Sequence, residues 1–489
     1  MERTTKRIVA IALIAIIAVA AGVGVWVYFT FFGTESRWVT PGVSGVSSDR
    51  WIRVGCLGDT GEIQGDGNWE GAWLAAYEIN TNGGVEVNNE TYYVALISED
   101  TDEANPQLDV TRGVAAADKI INVDNARYLV GGFRTEALKS YLEVAMDNKK
   151  LFFGTGAATD YFCEQVLNSY NRYKYFFRTM PINSTSLGRE TIYFLLTLGP
   201  VLNASYGQEI RNVAIIREDL DWTEPMYSAL VDNLEDNSVW NYTIVRDEAY
   251  PIDATSDHFD GVWNRIEDAG ARIAVPIISA QGGIYMMKKY AAKQPECLVA
   301  GIDVQSQSSE YWSQTAGDCA FETIMQPLTN TSKTTTSIDY WNAFDDKWGH
   351  APLYTATGAY DAVNFLVHAI NDSQSFDELT LIKQLEDYNT SAGYYAPSAT
   401  SCIEGMSPTA PYAGFYIHPN GQPTHDVIEG WPYGTTQFAQ WQNDTQKYCV
   451  PAPLVYPSGM PSIRDWDWAA PYNVSIVESN FQIPDWFGW

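Results

Sequence analysis

Residues 52–80, IRVGCLGDTGEIQGDGNWEGAWLAAYEIN, contain the pattern from which the architecture of the chain follows. The stretch opens on a short apolar run of strand character, from Ile52 to Leu57. It continues into Trp69 to Asn80, whose apolar residues recur with the period of a helix. A strand followed by a helix of this length is the first half of a βαβ unit, which predicts a parallel sheet.

The same alternation continues on both sides of residue 178. Strands are predicted at 92–97, 128–130, 151–153, 176–178, 213–216, 242–246, 273–278 and 298–300, and helices at 105–121, 136–147, 185–198, 224–235, 257–268, 283–292, 335–347 and 356–370. We therefore predict an α/β fold with two doubly wound lobes, 51–178 and 179–328, and a central cleft. Residues 329–453 would return to lobe one and add closing strands, and 454–489 form a Trp/Pro-rich tail.

The N-terminus predicts a membrane anchor. Arg3, Lys6 and Arg7 precede an uncharged run that is almost wholly apolar over residues 8–32, long enough to cross a hydrocarbon core of about 30 Å. Residues 1–34 would form one transmembrane helix with its basic end in the cytoplasm, and 35–50 a linker to an extracellular body. A shorter, cleaved signal peptide fits the length less well.

Composition narrows the possible partners. The 489 residues carry 30 Lys or Arg and 60 Asp or Glu, a net charge of −30, or −32 once residues 1–34 (three basic, one acidic) are set aside. Such a field repels phosphate and argues against nucleic acid as a partner. The five histidines, His258, His350, His368, His418 and His425, show no metal-ligand spacing, and we expect neither metal nor cofactor.

Two counts favour an extracellular protein. Nine Asn-x-Ser/Thr sequons predict glycosylation, at Asn89, Asn183, Asn203, Asn241, Asn330, Asn371, Asn389, Asn443 and Asn473. Six dispersed cysteines suit disulfides, with Cys297–Cys319 and Cys402–Cys449 as the expected local pairs and Cys56–Cys163 by elimination.

Catalytic motifs are missing from the sequence. It has no GxxxxGK[ST] phosphate loop and no GxSxG nucleophile elbow. The spacing of Gly65, Gly67 and Gly71 differs from that of a dinucleotide-binding turn at the third glycine. Acid pairs such as Asp219 and Asp221 mean little among 60 acids. We therefore expect a protein without enzymatic activity.

A ligand site is expected beyond the carboxyl ends of the strands. Three strand ends carry suitable residues: GGFRTEA at 131–137, GTGAATD at 154–160 and GIDVQ at 301–305. Their glycines allow close backbone approach, and their Thr and Asp side chains can pair with a zwitterion. Each motif alone is more typical of an ordinary Gly/Thr helix-capping turn.

Taken together these motifs resemble a known family over residues 51–453. IRVGCLGDTG and GNWEGAWLAAYEINTNGGVEV, then YLVGGF, FFGTGAATD, GIDVQ, ATGAYDAVNFLVHAI and FAQWQNDTQKYCVPAP are similar, in order and spacing, to the type 1 solute-binding proteins of ABC importers, the leucine/isoleucine/valine-binding group.

The resemblance implies a binding site. The hydroxyl residue of the family falls on Thr135, and the pair that holds the carboxylate and amine of the ligand falls on Ala157 and Thr159. Trp222 would be the aromatic of lobe two, and Asp303 the acid that pairs with the ligand amine. Two positions depart from the family: Ala280-Gln281 replaces a tyrosine, and Arg134 is larger and charged where small or apolar residues are common.

The resemblance also implies a function. We expect a membrane-anchored extracellular protein that captures a small polar ligand, an amino acid or related carboxylate, by hinge closure and delivers it to an ABC permease. The hinge crossovers are expected near 176–184 and 325–334. The alternative is a ligand-sensing receptor ectodomain that works with a separate signalling partner.

Overall fold

The computed structural model describes residues 37–235, 240–330, 333–389, 402–430, 433–434, 436–442, 447–450 and 481–489. The predicted anchor at 8–32 and most of the tail lie outside these residues. Among the helices described, none has the length and apolar character needed to cross a membrane.

The secondary structure alternates strand and helix over most of the chain. The strands are β1 (Trp51–Gly58), β2 (Val85–Val87), β3 (Glu90–Asp100), β4 (Tyr128–Gly131), β5 (Leu151–Gly154), β6 (Phe176–Arg178), β7 (Asn212–Glu218), β8 (Thr243–Tyr250), β9 (Ile273–Ile278), β10 (Leu298–Asp303), β11 (Thr323–Gln326), β12 (Ile403–Ser407), β13 (Ala410–Ala413), β14 (Phe415–Ile417), β15 (Pro423–Val427), β16 (Gln437–Trp441) and β17 (Lys447–Val450).

The helices are α1 (Ile63–Thr81), α2 (Thr111–Asn122), α3 (Thr135–Asp147), α4 (Tyr161–Asn168), α5 (Tyr170–Tyr173), α6 (Ser184–Tyr206), α7 (Thr223–Leu234), α8 (Ser256–Asp268), α9 (Gly282–Lys293), α10 (Tyr311–Thr315), α11 (Ser337–Trp348), α12 (Tyr354–Ser373) and α13 (Glu378–Asp387). The predicted helix 105–121 begins only at Thr111, because the Asn105 side chain bonds the backbone of Asp102 and Asp109 and forms a turn instead.

Lobe one is built on an eight-stranded sheet in the order β14-β15-β6-β5-β4-β1-β3-β2. Strands β3, β1, β4, β5, β6 and β15 run parallel to their neighbours, and β2 and β14 add antiparallel edges. Val54, Cys56 and Leu57 of β1 are each at most 1% exposed, since helices cover both faces of the sheet.

Lobe two is built on a seven-stranded sheet in the order β17-β16-β11-β10-β9-β7-β8. The five strands from β11 to β8 in this order are parallel, and β16 and β17 pair antiparallel at the other edge. Both sheets are therefore mixed at their edges, while their centres are the parallel sheets that the strand–helix alternation predicts.

The chain passes between the lobes three times. The first two passages, between β6 and α6 and between β11 and α11, match the predicted crossovers near 176–184 and 325–334. A third follows β15, because β14 and β15 close the sheet of lobe one while β16 and β17 close that of lobe two.

The predicted disulfides are not formed in the structure. Cys56, Cys163, Cys297, Cys319 and Cys402 are free thiols. Cys56 lies in β1, whereas Cys163 lies in α4, which packs against β6 and β15. β1 and β6 are three strand positions apart, about 14 Å at a strand spacing near 4.8 Å, which is too far for a disulfide. The Sγ of Cys297 instead faces the Leu298 carbonyl at 3.7 Å.

The end of the tail packs against lobe two. Phe487 is 7% exposed and joins the core of that lobe. The indole Nε1 of Trp486 donates to the Pro295 carbonyl at 3.0 Å, and the backbone of Gln482 exchanges two hydrogen bonds of 2.9 Å with the side chain of Gln440. Residues 481–489 therefore form a strap over lobe two.

Candidate functional site

A cavity of about 50 Å³ lies between the two lobes. Its walls come from both sheets, at the carboxyl ends of their parallel strands, which is where open α/β sheets bind ligands. The lining residues are Phe133, Arg134, Gly156, Ala158, Ile182, Leu187, Leu220, Trp222, Ser279, Ile302, Val304, Gln307, Met325, Gln326, Pro327, Tyr354 and Thr436.

Two neighbouring strand ends supply the wall of lobe one. β4 and β5 pair in parallel with Gly131 opposite Gly154, so the loops that follow them lie side by side. Phe133 and Arg134 come from the first loop, and Gly156 and Ala158 from the second. A Cβ at Gly131, whose φ is +146°, would lie 1.9 Å from the carbonyl oxygen of Leu57, so only glycine fits where the chain turns into the cleft.

Four strand ends supply the wall of lobe two. Leu220 and Trp222 follow β7, Ser279 follows β9, and Ile302 and Met325 are the penultimate residues of β10 and β11. Most of these side chains are apolar, and Trp222 is 8% exposed. The lobe-two wall therefore combines a hydrophobic surface with the neutral polar side chains of Ser279, Gln307, Gln326 and Thr436.

Arg134 is the charged side chain of the lining. It is 5% exposed, and its Nη1 is buried without a hydrogen-bond partner among the described residues. Its guanidinium carbon lies 5.7 Å from the centre of the Phe133 ring. The charge of Arg134 opposes the rise that desolvation causes in the pKa values of Glu62 and Glu218, so both carboxylates lie within its electrostatic reach. A buried N–H group without an acceptor is nevertheless costly, and a guanidinium is suited to receive a carboxylate in two parallel hydrogen bonds.

A buried carboxylate holds the Arg134 loop in place. Oε2 of Glu103 accepts from the backbone N–H groups of Phe133 (3.2 Å) and Arg134 (3.1 Å) and from the Tyr141 hydroxyl (3.2 Å). Burial raises the pKa of Glu103 to about 7, although these hydrogen bonds oppose the shift. Because these bonds fix the backbone of Arg134, its side chain starts from a defined position at the cavity wall.

Lobe two holds a second buried carboxylate near the cavity. Glu218 accepts from Ser279 N (2.9 Å), Ser279 Oγ (2.7 Å) and Ala280 N (2.8 Å). Burial raises its pKa, and the charge of Arg134 opposes that rise. Both oxygens of Glu218 are engaged within lobe two, so it shapes the wall without presenting a free acceptor.

Two aromatic side chains add polar atoms to the wall. Trp222 carries an indole Nε1 that is buried without a partner among the described residues. The Tyr354 hydroxyl donates to the Gly156 carbonyl at 3.3 Å. The cavity therefore offers two unpaired donors, one on Arg134 in lobe one and one on Trp222 in lobe two.

Of the five site residues that the resemblance implies, Trp222 lines the cavity. Thr135 begins α3 directly after Arg134, is 1% exposed, and its Oγ1 has no partner among the described residues. Ala157 and Thr159 flank the lining residue Ala158, and their carbonyls accept from Arg178 Nη1 at 3.2 and 2.7 Å. These three residues border the cavity without forming its wall.

Asp303 lies on the far side of β10 from the cavity. Ile302 and Val304 line the cavity, and successive side chains of a strand point to opposite faces. The carboxylate of Asp303 accepts from the Tyr311 hydroxyl (2.8 Å) and Gln305 N (3.0 Å), and it shares a hydrogen bond with the buried Glu322. Burial raises the pKa of Asp303 to about 7.

The resemblance did not assign Phe133, Arg134 and Tyr354 to the site. Arg134 drew notice only as a departure from the family, yet its position right after a strand end was a usable signal. Tyr354 begins a helix far along the chain, and no local pattern connects it to the cleft. Within the part of the chain that the structure describes, no cluster of His, Cys, Asp and Glu side chains could hold a metal.

Comparison with known proteins supports the architecture. Residues 52–427 match the model of a family described as periplasmic binding protein, and no curated protein sequence matches the chain. The substrate-binding protein LivJ of a branched-chain amino acid transporter from Streptococcus pneumoniae, solved with isoleucine, has a TM-score of 0.61 at 13% identity and covers 83% of this chain and 99% of its own.

Two further solved structures are similar. A solute-binding protein of an ABC transporter from R. palustris, in complex with benzoate, has a TM-score of 0.60 at 14% identity and covers 84% of this chain and 98% of its own. A putative branched-chain amino acid ABC transporter protein from Silicibacter pomeroyi has a TM-score of 0.63 at 17% identity, with 83% and 97% covered. Such identities show the fold, and the family model spans well over half of the 489 residues. The chain therefore belongs to the periplasmic binding protein family, as a type 1 solute-binding protein.

Proposed function

We propose that the chain captures a small organic solute, an amino acid or related carboxylate, in the cleft between its lobes and delivers it to an ABC permease. The observation that carries this proposal is the cavity itself, which has walls from both lobes and an unpaired donor in each, on Arg134 and on Trp222. A solute that touches both walls stabilises the closed form, since its contacts exist only when the lobes meet.

Contacts at the rim of the cleft support capture by closure. The Lys139 ammonium in α3 of lobe one pairs with Asp221 of lobe two at 2.5 Å, and Asp221 N donates to Glu136 Oε1 at 2.9 Å. Across the cleft, Gln64 Nε2 donates to the Ser279 carbonyl at 3.0 Å. Because these bonds are few and partly exposed, breaking them when the lobes open costs little free energy.

The site residues implied by the resemblance enter the proposal by their position. We assign Trp222 to direct ligand contact. Thr135, Ala157 and Thr159 border the cavity and would present hydroxyl or backbone groups to the ligand when it is bound. Asp303 would act on the ligand amine only if its side chain turned to the other face of β10.

The proposed location rests on the sequence alone. The apolar run 8–32 with its basic flank would anchor the chain in the cell membrane, with the N-terminus in the cytoplasm and the lobes outside. The nine sequons and the net charge of −30 suit a glycosylated, highly solvated extracellular surface.

A search for retained solute tests the proposal. The full-length chain is purified in detergent and denatured, and the released small molecules are identified by mass spectrometry. We expect one organic acid or amino acid in stoichiometric amount, and that solute should raise the melting temperature when it is added back. If no solute is released and no member of an amino acid and carboxylate library shifts the melting temperature, the proposed function is wrong.

Delivery to a permease needs its own measurement. The ATPase activity of an ABC permease from the same genome, reconstituted in vesicles, should rise when the loaded chain is added. A permease that responds equally to the loaded and the solute-free chain would contradict delivery and leave capture standing.

A further inference from the structure

We propose that the ligand of this cleft is a small monocarboxylate with an apolar body and no ammonium group, held by an ion pair with Arg134. The inference rests on the proposed function and names its substrate class. Isoleucine in one similar structure is a zwitterion, and benzoate in another is a carboxylate without an amine. The fold therefore accepts both kinds of ligand, and the side chains of this chain must distinguish between them.

The first argument is the unpaired Nη1 group of Arg134. Its Nη1 is buried in the lining without a partner among the described residues, although the Arg134 loop is fixed through Glu103. Buried charges in proteins are normally paired, and a guanidinium keeps its charge throughout the physiological pH range. An incoming carboxylate supplies the acceptor that Nη1 lacks, in the geometry that a guanidinium prefers.

The second argument is that the wall offers no carboxylate to pair with an ammonium group. Arg134 is the only charged residue among the lining residues that the structure describes, and none of them is Asp or Glu. Two acids near the cleft are already bonded: Glu218 to Ser279 and Ala280, and Asp303 to Tyr311 and Gln305. Glu62, a further acid within reach of the Arg134 charge, is exposed and lies outside the lining. A ligand ammonium would be buried beside the Arg134 cation, which like-charge repulsion disfavours.

Glu136 is an acid near the cleft that keeps one carboxylate oxygen unpaired among the described residues. Its Oε1 accepts from Asp221 N at 2.9 Å, and its Oε2 is buried without a partner among the described residues. Glu136 lies at the junction of the lobes, outside the cavity lining. A zwitterion could use it only by displacing the contact that helps to hold the lobes together.

The third argument is the character of the remaining wall. Phe133, Trp222 and Tyr354 supply aromatic surface. Six further lining side chains are large and apolar, Ile182, Leu187, Leu220, Ile302, Val304 and Met325, and four are neutral and polar, Ser279, Gln307, Gln326 and Thr436. Such a wall favours an aromatic or branched hydrocarbon body. The unpaired Nε1 of Trp222 adds one neutral donor for an oxygen of the ligand.

Calorimetric titration of the full-length chain with matched probes tests the proposal. The first pair is 3-methylpentanoate and isoleucine, which differ only by the α-amino group. The second pair is benzoate and benzamide, which differ in charge. We expect at least one carboxylate to bind, and each binding carboxylate to be at least about 10-fold tighter than its matched probe.

Variants locate the ion pair. In Arg134→Gln, carboxylate affinity should fall about 30-fold or more, because truncation of one partner of a buried charged pair is costly. Benzamide affinity should be unchanged, and Arg134→Lys should retain part of the carboxylate affinity. Arg172→Gln, which removes an arginine paired with Glu143 on the surface, is the control and should bind as the parent does. Melting curves verify that each variant is folded.

The outcomes separate the inference from the function that it extends. Tighter binding of isoleucine than of 3-methylpentanoate overturns the inference while it supports solute capture, and it points to Glu136 as the amine acceptor. Absence of binding by both carboxylates also overturns the inference, and the retained-solute experiment then decides the function independently. Equal carboxylate affinity in the parent and in Arg134→Gln removes Arg134 from the site.

Discussion

At the scale of single residues, Arg134 lowers the stability of the solute-free protein and provides a group that can bind the ligand. The residue is only 5% exposed, and its Nη1 has no hydrogen-bond partner among the described residues. Desolvating a charge without a partner costs free energy that the hydrophobic contacts of its stem recover only in part. A binding residue of this kind is expected to destabilise the solute-free protein.

Replacement of Arg134 by methionine should therefore stabilise the solute-free chain. Arg134→Met keeps much of the apolar stem and removes the charge, and we expect a gain of about 1–2 kcal/mol in the free energy of unfolding. Urea unfolding of the dialysed protein measures it, with Arg172→Met on the exposed surface as the control. A loss of stability in Arg134→Met would mean that the guanidinium is satisfied in solution.

Asp303 makes a pH-dependent contribution to stability. Burial raises its folded-state pKa, and it raises the pKa of Glu322, with which Asp303 shares a hydrogen bond, further. The folded pair therefore keeps a proton that the unfolded chain releases above about pH 4. The contribution of this carboxyl to folding is therefore fully present below about pH 4 and is lost as the pH rises through about 7. Asp303→Asn, which resembles the protonated form, should be more stable than the parent at pH 8, by on the order of 2–4 kcal/mol, and equal to it near pH 4.

Thermal unfolding between about pH 4 and 8 checks this expectation. Asp257→Asn, at a side chain that is 97% exposed, is the control and should give the same difference from the parent at every pH. If the stability gain of Asp303→Asn does not change with pH, the carboxyl is ionised in the folded protein. If Asp303→Asn instead abolishes solute binding with stability intact, Asp303 belongs to the site, as the family resemblance implies.

Asp303 shows which features of a site residue can be predicted from the sequence and which cannot. The motif GIDVQ correctly places residues 301–305 at a strand end beside the cleft. The face that each side chain takes depends on the register between β9 and β10, where Asp303 is opposite Ile278, and no local pattern contains that register. Arg134 was visible in the sequence, but its lack of a partner became visible only when both lobes were assembled around it.

At the scale of elements, the lobe-one core depends on the close approach of α1 and α12. A Cβ built on Gly71 of α1 would lie 1.9 Å from the carbonyl oxygen of Ala356, so the two backbones meet where glycine leaves room. The apolar period of 69–80 predicted α1 from the sequence. Its partner α12 lies far along the chain, at Tyr354–Ser373, and only the tertiary fold brings the two together.

Substitution of Gly71 tests this contact. Gly71→Ala should lower the free energy of unfolding by about 2–4 kcal/mol, because the helices must separate to admit the methyl group. Gly261→Ala in α8 is the matched control, since its Cβ would meet only the flexible end of Arg265, at 2.9 Å. The control should gain about 0.5–1 kcal/mol from helix propensity. Equal effects of the two substitutions in urea unfolding would contradict the close helix contact.

At the scale of the whole molecule, the two lobes can be predicted from the sequence, but the crossovers of the chain between them can be predicted only in part. Periodicity locates the strands and helices of both sheets, and the ends of the lobes locate two of the three crossovers. The third crossover cannot be predicted from the sequence, because β14 to β17 are short strands near the sheet edges. Such strands lack the long apolar run that is typical of a buried central strand. Three connections limit the relative motion of the lobes to a hinge rather than free tumbling.

The strap 481–489 stabilises one lobe and not the other. Phe487 is buried in lobe two, Trp486 bonds Pro295, and Gly488 N donates to Glu296 Oε1 at 3.3 Å. All of these contacts lie within lobe two, so the two lobes should differ in their dependence on the end of the chain.

Truncation after Asn480 should therefore destabilise lobe two by about 3–5 kcal/mol, on the basis of about 1.5–3 kcal/mol for each large buried side chain. In calorimetry of the truncated chain, lobe two should unfold at a lower temperature than lobe one. Phe487→Ala should reproduce about half of the effect, and Leu379→Ala, at an exposed side chain of lobe one, should produce none. Since the strap contributes no residue to the cavity lining, solute affinity below the first transition should be unchanged. A truncated chain that melts like the parent would show that these contacts do not hold in solution.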